Sequence, residues 1–265
     1  MQVRFAGKSD VGKRRQKNED SYIISEKLNL AIVADGMGGH LGGERASKLA
    51  VETVKEIIDT LEGDPETTLE EGMNLSPGDY RAYIRYAISM ASAHIFDESK
   101  KVATLKGMGT TTVMLLFRNN LVYIGNVGDS RAYRVRDGEV EQITQDHSLV
   151  GEQIRAGLIS EEDAKSHRLK NIITRSVGFQ DEVEADVEIR ALNIGDKFLL
   201  CSDGLSNLID ANEIKDILVH NSLDDASARL IDLANERGGD DNITVVLAEV
   251  EALSAAASED ETIEA

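Results

Sequence analysis

Apolar residues in this chain recur in two rhythms, and the rhythm changes twice. Near the N-terminus Val3 to Gly7 reads as a short edge strand. Ser21 to Ser25 and the apolar run Leu30 to Ala34 read as a strand pair joined by a short turn at Lys27-Leu28-Asn29. From Gly43-Glu44 the spacing becomes helical, with Ala46, Leu49, Ala50, Val54, Ile57, Ile58 and Leu61 on one face. Glu62 to Leu75 is polar and reads as a loop. Ser76-Pro77-Gly78-Asp79 reads as a helix start, with Ser76 as cap and Pro77 in the first turn. The helix that follows carries Tyr80, Tyr83, Ile84, Ala87, Ile88, Ala91 and Ile95 on one face and ends near Lys101.

From Gly109 the strand rhythm returns. Thr110 to Phe117, Leu121 to Val127, Ala132 to Val135 and Val140 to Thr144 form an expected meander of antiparallel hairpins, with turns at Asn119-Asn120 and Asp137-Gly138. Asp146 to Gly178 is irregular, with short helices at Leu149–Ala156 and Glu161–Ser166, and reads as a partly mobile surface insertion. Strands resume at Ala185–Ile189 and Lys197–Cys201, helices at Ala211–His220 and Asp225–Glu236, and a last strand at Ile243–Val250. Regular β-α-β alternation is missing, which argues against a doubly wound parallel sheet. The order predicts an α+β fold: two antiparallel sheets packed face to face, with helices outside both. Residues 1–250 are expected to form one domain, and 251–265 an acidic, disordered tail without a basic residue.

Composition narrows the functional classes. The 265 residues carry 29 Lys+Arg against 48 Asp+Glu, a net charge of −19, which argues against general binding to nucleic acid or to a membrane surface. One cysteine, Cys201, excludes a disulfide framework and is compatible with a reducing compartment. The N-terminus has no signal-peptide pattern, and no apolar stretch reaches membrane-spanning length, so a cytoplasmic protein is expected.

The candidate chemistry lies at strand ends. Asp35, Asp129 and Asp203 each close an apolar run beside a glycine, and Asp241 precedes the last strand. Each alone is an ordinary turn residue. Together, on one core, they would converge on a rim. Clustered carboxylates raise one another's pKa unless cations neutralise them. Oxygen-only ligation selects Mg²⁺ or Mn²⁺, and the five scattered histidines supply no zinc pair. Cations held this way suit phosphate-ester hydrolysis. A guanidinium would hold the phosphate, with Arg15 the candidate and Arg14 the competing choice. Antiparallel pairing of the first two strands brings Arg15 and Glu19 to the end where Asp35 stands.

These residues fall into seven motifs in one order: Asp10-x-Gly12-x-x-Arg15-x-x-Asn18-Glu19-Asp20, Asp35-Gly36-Met37-Gly38-Gly39-His40, Gly107-Met-Gly109-Thr-Thr-Thr, Gly128-Asp129-Ser130-Arg131, Thr144-Gln-Asp146-His147-Ser148, Ser202-Asp203-Gly204-Leu205 and Asp241-Asn242-x-Thr244. From about Asp10 to Val250 the chain resembles the metal-dependent serine/threonine protein phosphatases of type 2C, in their compact bacterial form. The resemblance implies a four-layer α-β-β-α sandwich and two tightly bound Mn²⁺ or Mg²⁺ ions. It implies that Asp35 bridges both ions, that the Gly36 carbonyl joins one, and that Asp203 and Asp241 complete the second. Asp129 with Asp203 would hold a third, looser ion. Glu19 would order metal-bound water, and Arg15 would grip the phosphate. The insertion at 146–178 corresponds to the family's flap beside the site. Phosphorylated proteins are the implied substrates, with a cognate serine/threonine kinase as partner and a monomeric state.

One position departs from the pattern. Many eukaryotic members have a histidine directly after the Asp-Gly, proposed as general acid; here it is Met37, and His40 stands three residues further on. Other classes fit less well. Gly36-Met37-Gly38-Gly39-His40-Leu41 lacks the last glycine of a dinucleotide-binding turn, and an aspartate precedes it. Six residues after Cys201 stands Asn207, so the arginine of a cysteine-based phosphatase is missing. Two alternatives remain at this stage: a same-fold phosphatase of an anti-sigma-antagonist type protein, and a catalytically silent phosphoprotein-binding module. The intact acidic set argues against the second.

Overall fold

A computed structural model of the chain describes residues 1–38, 42–63, 75–165 and 167–255. One antiparallel sheet contains β1 (Gln2–Asp10), β11 (Ile243–Ala252), β10 (Lys197–Cys201), β7 (Arg131–Arg136) and β8 (Glu139–Gln142), in that order. The other contains β2 (Asp20–Ser25), β3 (Leu30–Met37), β5 (Thr112–Arg118), β6 (Leu121–Val127) and β9 (Asp186–Ala191), with the two-residue β4 (Gly109–Thr110) on the end of β3. All named strand pairs are antiparallel.

Helices α1 (Gly42–Gly63) and α2 (Tyr80–Lys101) cover the second sheet, and α6 (Ala211–His220) and α7 (Leu223–Glu236) cover the first. Three apolar layers result. Ala31 and Val33 of β3 pack inward against Phe198, Leu200 and Val246 of the other sheet. Leu30, Ile32 and Ala34 point the opposite way, into α1 and α2. Burial on both faces explains why β3 is a continuous apolar run rather than an alternating one. Phe117 ties the sheets together, in edge-to-face contact with Phe5 at 5.9 Å and Phe198 at 5.6 Å. The expected four-layer α-β-β-α sandwich is therefore the observed fold.

Several expectations need correction. The meander does not continue through residue 128. β6 and β7 lie in different sheets, and the chain crosses between them at Gly128-Asp129-Ser130. The expected strand at Thr110–Phe117 is broken at Thr111, which turns to receive the backbone of Asp35. α2 is capped by Asp79, whose side chain accepts the Ala82 N–H, and not by Ser76; Pro77-Gly78 form the preceding turn. Glu62 and Gly63 belong to α1, and residues 64–74 of the expected loop lie outside the described residues. Glu251 and Ala252 complete β11 instead of starting a tail, because Ala252 pairs with Gln2 and Ser254 N–H donates to Asn120 Oδ1 at 2.8 Å. Residues 256–265 of that expected tail lie outside the described residues. The 146–178 segment contains α3 (Leu149–Arg155) and α4 (Glu161–Lys165), close to the expected helices. It is tied to the second sheet by the Thr110–Val177 bridge.

Candidate metal centre at the rim of the two sheets

Asp35 reaches the rim because its own backbone is fully engaged. Its N–H donates to Thr111 Oγ1 at 2.9 Å, and its carbonyl accepts from Thr111 N–H at 2.9 Å and Thr110 Oγ1 at 2.8 Å. β3 does not end there but runs on through Gly36 and Met37, paired with β4. Gly36 lies flat against the first turn of α1 and the Glu19 backbone. A Cβ on it would stand 2.1 Å from the Gly43 carbonyl oxygen and 2.6 Å from that of Glu19, so no side chain fits.

The other carboxylates arrive from separate elements. Asp203 opens the short helix α5 (Asp203–Ser206) directly after β10. Asp241 precedes β11, and Asp129 sits in the crossing between sheets. Asp203 lies close enough to Asp35 for its charge to raise the Asp35 carboxyl, a repulsion that a proton or a cation between them relieves. Asp203 Oδ2 also accepts from Asn207 Nδ2 at 3.1 Å, while its buried Oδ1 has no partner. Asp129 and Asp203 open onto a cavity of about 900 Å³ walled on one side by the 146–178 segment and on the other by residues 206–213.

Electrostatics confirm the convergence. Asp35 is pushed well above the usual carboxylate range by burial, then by Asp20, Asp203, Asp129 and Asp241. Burial and the charge of Asp241 also raise Asp203, against a hydrogen bond from Asn207 and the charge of Arg15. Asp129 is pushed up to about 7, by burial first and by Asp203 and Asp146 next. Asp20 reaches about 7 as well, through burial opposed by hydrogen bonds from Thr244 and Ser202.

Arg15 is the cation of the rim. Its Nη2 lies 2.6 Å from Asp241 Oδ2. Burial pulls its pKa down, but Asp241, Glu19 and Asp35 outweigh that and hold it above its usual value. Arg14, the competing choice, turns outward to the exposed Asp240 at 3.7 Å. The Arg15 loop is pinned to the Asp241 loop: Lys13 N–H donates to the Gly239 carbonyl at 2.7 Å, and Asn242 Nδ2 to the carbonyls of Val11 and Lys17 at 2.9 Å. Gly12 makes this approach feasible. Its φ is +75°, and a Cβ there would stand 2.2 Å from the Asp241 carbonyl oxygen. Glu19 N–H donates to Asn242 Oδ1 at 2.8 Å, and its carboxylate lies against Gly43 at the start of α1.

Seven residues singled out from the sequence thus lie at one rim: Arg15, Glu19, Asp35, Gly36, Asp129, Asp203 and Asp241. Met37 is half-buried and paired with Gly109, and His40 lies outside the described residues. Three residues were given no role in the sequence reading. Asp20 is buried, faces Asp35 in register, and accepts from Ser202 Oγ at 2.8 Å. Asn242 laces the Arg15 loop to the Asp241 loop. Asp146 is held by Arg131 through Nε at 3.0 Å and Nη2 at 2.7 Å. The register of the 27–29 turn would have identified Asp20; Asn242 and Asp146 stand in two of the motifs, but nothing local shows what they hold.

The donor set fits hard divalent cations: carboxylate oxygens from several elements, with one buried oxygen each on Asp20 and Asp203 left unpartnered. Among the described residues no three such side chains already close on one point, so backbone oxygen and water would fill out the ligand sphere, as these ions prefer.

Comparison with known proteins agrees. Residues 9–248 match the protein phosphatase 2C family. The chain is 39% identical over 246 residues to the serine/threonine phosphatase stp of Listeria welshimeri, covering 91% of this chain and 94% of that protein. It is similar to the crystal structure of the Mycobacterium tuberculosis serine/threonine phosphatase PstP/Ppp, with a TM-score of 0.84 and 36% identity, covering 95% of this chain and all (100%) of that one. It is also similar to the catalytic domain of PstP in complex with 2 manganese ions, with a TM-score of 0.81 and 35% identity, covering 94% and 99% of the two chains. The chain belongs to the protein phosphatase 2C family, in its compact bacterial form. Its chemistry is the metal-dependent hydrolysis of protein phosphoserine and phosphothreonine.

Proposed function

We propose that the Asp35 rim is the catalytic centre, that it takes Mn²⁺ or Mg²⁺, and that its substrates are phosphoproteins made by a cognate serine/threonine kinase. The observation that carries this reading is the crowding of Asp35 by Asp20, Asp203, Asp129 and Asp241, carboxylates delivered from both sheets. Without cations such a rim would repel a phosphate dianion, and Arg15 alone could not offset it.

In this reading Asp35, the Gly36 carbonyl, Asp203 and Asp241 would hold two ions. Asp129 together with Asp203 would hold a third, looser ion. Bound divalent cations supply an activated water and neutralise charge on the phosphoryl oxygens. The protein does the rest. Arg15 orients the phosphate through its guanidinium fork. Glu19, fixed through its backbone to Asn242, orders water at the rim. Asp20 supports Asp35 from the neighbouring strand. Met37 offers no proton to the leaving group.

The chain through the end of β11 at Ala252 acts as one phosphatase domain, with 146–178 as a flap beside the cavity. No helix among the described residues is long and apolar enough to cross a membrane, and we place the protein in the cytoplasm as a monomer. The comparisons favour neither the anti-sigma-antagonist type of phosphatase nor a silent binding module. Phosphoproteomics after deletion, checked with purified kinase and phosphatase, tests the substrate reading. Phosphoserine and phosphothreonine sites should accumulate, and the purified protein should clear the same sites. Unchanged phosphorylation at every such site would contradict it.

A further inference from the structure

His147 is a buried residue, 4% exposed, that the catalytic reading leaves without a role. It lies between β8 and α3, where the 146–178 segment begins. Its N–H donates to the Gly128 carbonyl at 2.9 Å, and its carbonyl accepts from Thr174 N–H at 2.8 Å. The side chain repeats the connection. Gly128 N–H donates to Nδ1 at 3.1 Å, and Nε2 faces Asp186 Oδ2 at 3.1 Å. An imidazole that accepts at Nδ1 carries its proton on Nε2 when neutral, and that N–H donates to Asp186. Asp186 Oδ1 in turn accepts from Arg175 Nη1 at 2.8 Å, near the other end of the segment. One ring therefore joins the sheet crossing, the first residue of β9 and both ends of the segment.

Gly128 immediately precedes Asp129. We propose that His147 is a positioning residue for Asp129: its ring supplies the acceptor that fixes the Gly128 N–H, and so couples the seating of the 146–178 segment to the placement of Asp129 on the metal rim. This rests on the reading of Asp129 as a metal ligand. Removing the ring leaves a buried N–H without its acceptor, and the crossing must move to recover one. Partners behind a metal ligand typically affect metal affinity about 10–100-fold when lost.

The test uses the full chain with His147→Ala and His147→Asn. Asparagine places an amide oxygen near the position of Nδ1 and keeps the acceptor. Two quantities are read: the Mn²⁺ concentration for half-maximal hydrolysis of p-nitrophenyl phosphate, and amide exchange at Gly128 in the metal-free protein. His147→Ala should raise the Mn²⁺ requirement about 10–100-fold, leave KM at saturating Mn²⁺ unchanged, and speed exchange at Gly128. His147→Asn should stay close to the native values in both. A native Mn²⁺ curve with native Gly128 protection in His147→Ala would overturn the proposal. So would an asparagine variant as impaired as alanine in both readouts. Asp129→Ala, run in parallel, separates the two claims: if it leaves the Mn²⁺ curve native, the ligand reading of Asp129 fails, and Gly128 exchange alone decides the role of His147.

Discussion

Asp20 and Asp35 stand directly opposite each other on adjacent antiparallel strands, two acids in one register pair. Such a pair is destabilising when both are charged. Here it is held by Ser202, whose hydroxyl donates to Asp20 Oδ2 at 2.8 Å from the other sheet, while Asp20 Oδ1 stays unpartnered. The fold therefore keeps an electrostatic cost at the rim, and what relieves that cost is the subject of most of the predictions.

The metal-free protein should lose stability as pH rises from about 4 to 7. Asp20 and Asp129 are pushed up to about 7, and Asp35 and Asp203 are raised too. Carboxylates in the unfolded chain ionise near 3.9. Between the two values the folded state binds more protons, so stability is fully present below the unfolded pKa and declines as pH climbs through the folded one. Thermal melting in chelator should show Tm falling by several degrees across that window, at about 2–4 °C per kcal/mol for a chain of this size. Saturating Mn²⁺ should abolish the decline. A chelated protein whose Tm rises steadily from pH 4 to 7 would contradict the account of the rim.

Asp203→Asn should separate stability from activity. It removes one charge that acts on Asp35, so the metal-free Tm should hold or rise. Hydrolysis of p-nitrophenyl phosphate should fall by more than about 100-fold, since even partners behind a metal ligand are worth 10–100-fold. Loss of folding, judged by circular dichroism, would mean Asp203 has a structural role that the geometry does not give it.

Arg15→Ala should act mainly on KM. A hydrogen bond to a charged group contributes about 1.5–3 kcal/mol, which corresponds to a KM increase of roughly 10–100-fold with kcat less affected. Arg14→Ala should leave KM within about twofold, because its exposed pairing with Asp240 is a surface contact. Steady-state kinetics on the two variants decides the assignment; the reverse pattern would move the phosphate grip to Arg14.

Gly36→Ala should be costly out of proportion to one methyl group. Its Cβ would meet the Gly43 carbonyl oxygen at 2.1 Å, so α1 must shift away from β3. Forcing atoms into a packed site costs about 1–3 kcal/mol. Denaturant unfolding should report a loss in that range together with weakened Mn²⁺ activation. Native stability would show that α1 slides freely against the rim.

Much of this was legible in the sequence because the strongest signals are local. Helix α6, strand β6 and strand β10 have the expected boundaries because their apolar period is uninterrupted and their ends carry turn or cap residues. The four aspartates stood out for the same reason, three closing an apolar run and Asp241 preceding one. The failures are of another kind. Which sheet a strand joins is not written in its own residues, so the crossing at Gly128-Asp129-Ser130 read as one more hairpin. Helix α5 has only four residues and no period to detect. The break at Thr111 lies within three consecutive threonines, all good strand formers, and only the arrival of Asp35 from a distant strand produces it. The Arg15–Asp241 pair spans 226 positions in sequence, so neither residue announces the other.

The most direct test of the central claim is hydrolysis of a phosphoserine peptide by protein stripped of metal and then titrated with Mn²⁺. The account predicts negligible turnover in chelator, recovery on adding Mn²⁺, and no recovery in Asp203→Asn at the same Mn²⁺ concentration. Full activity in chelator, by a protein verified free of metal, would contradict it.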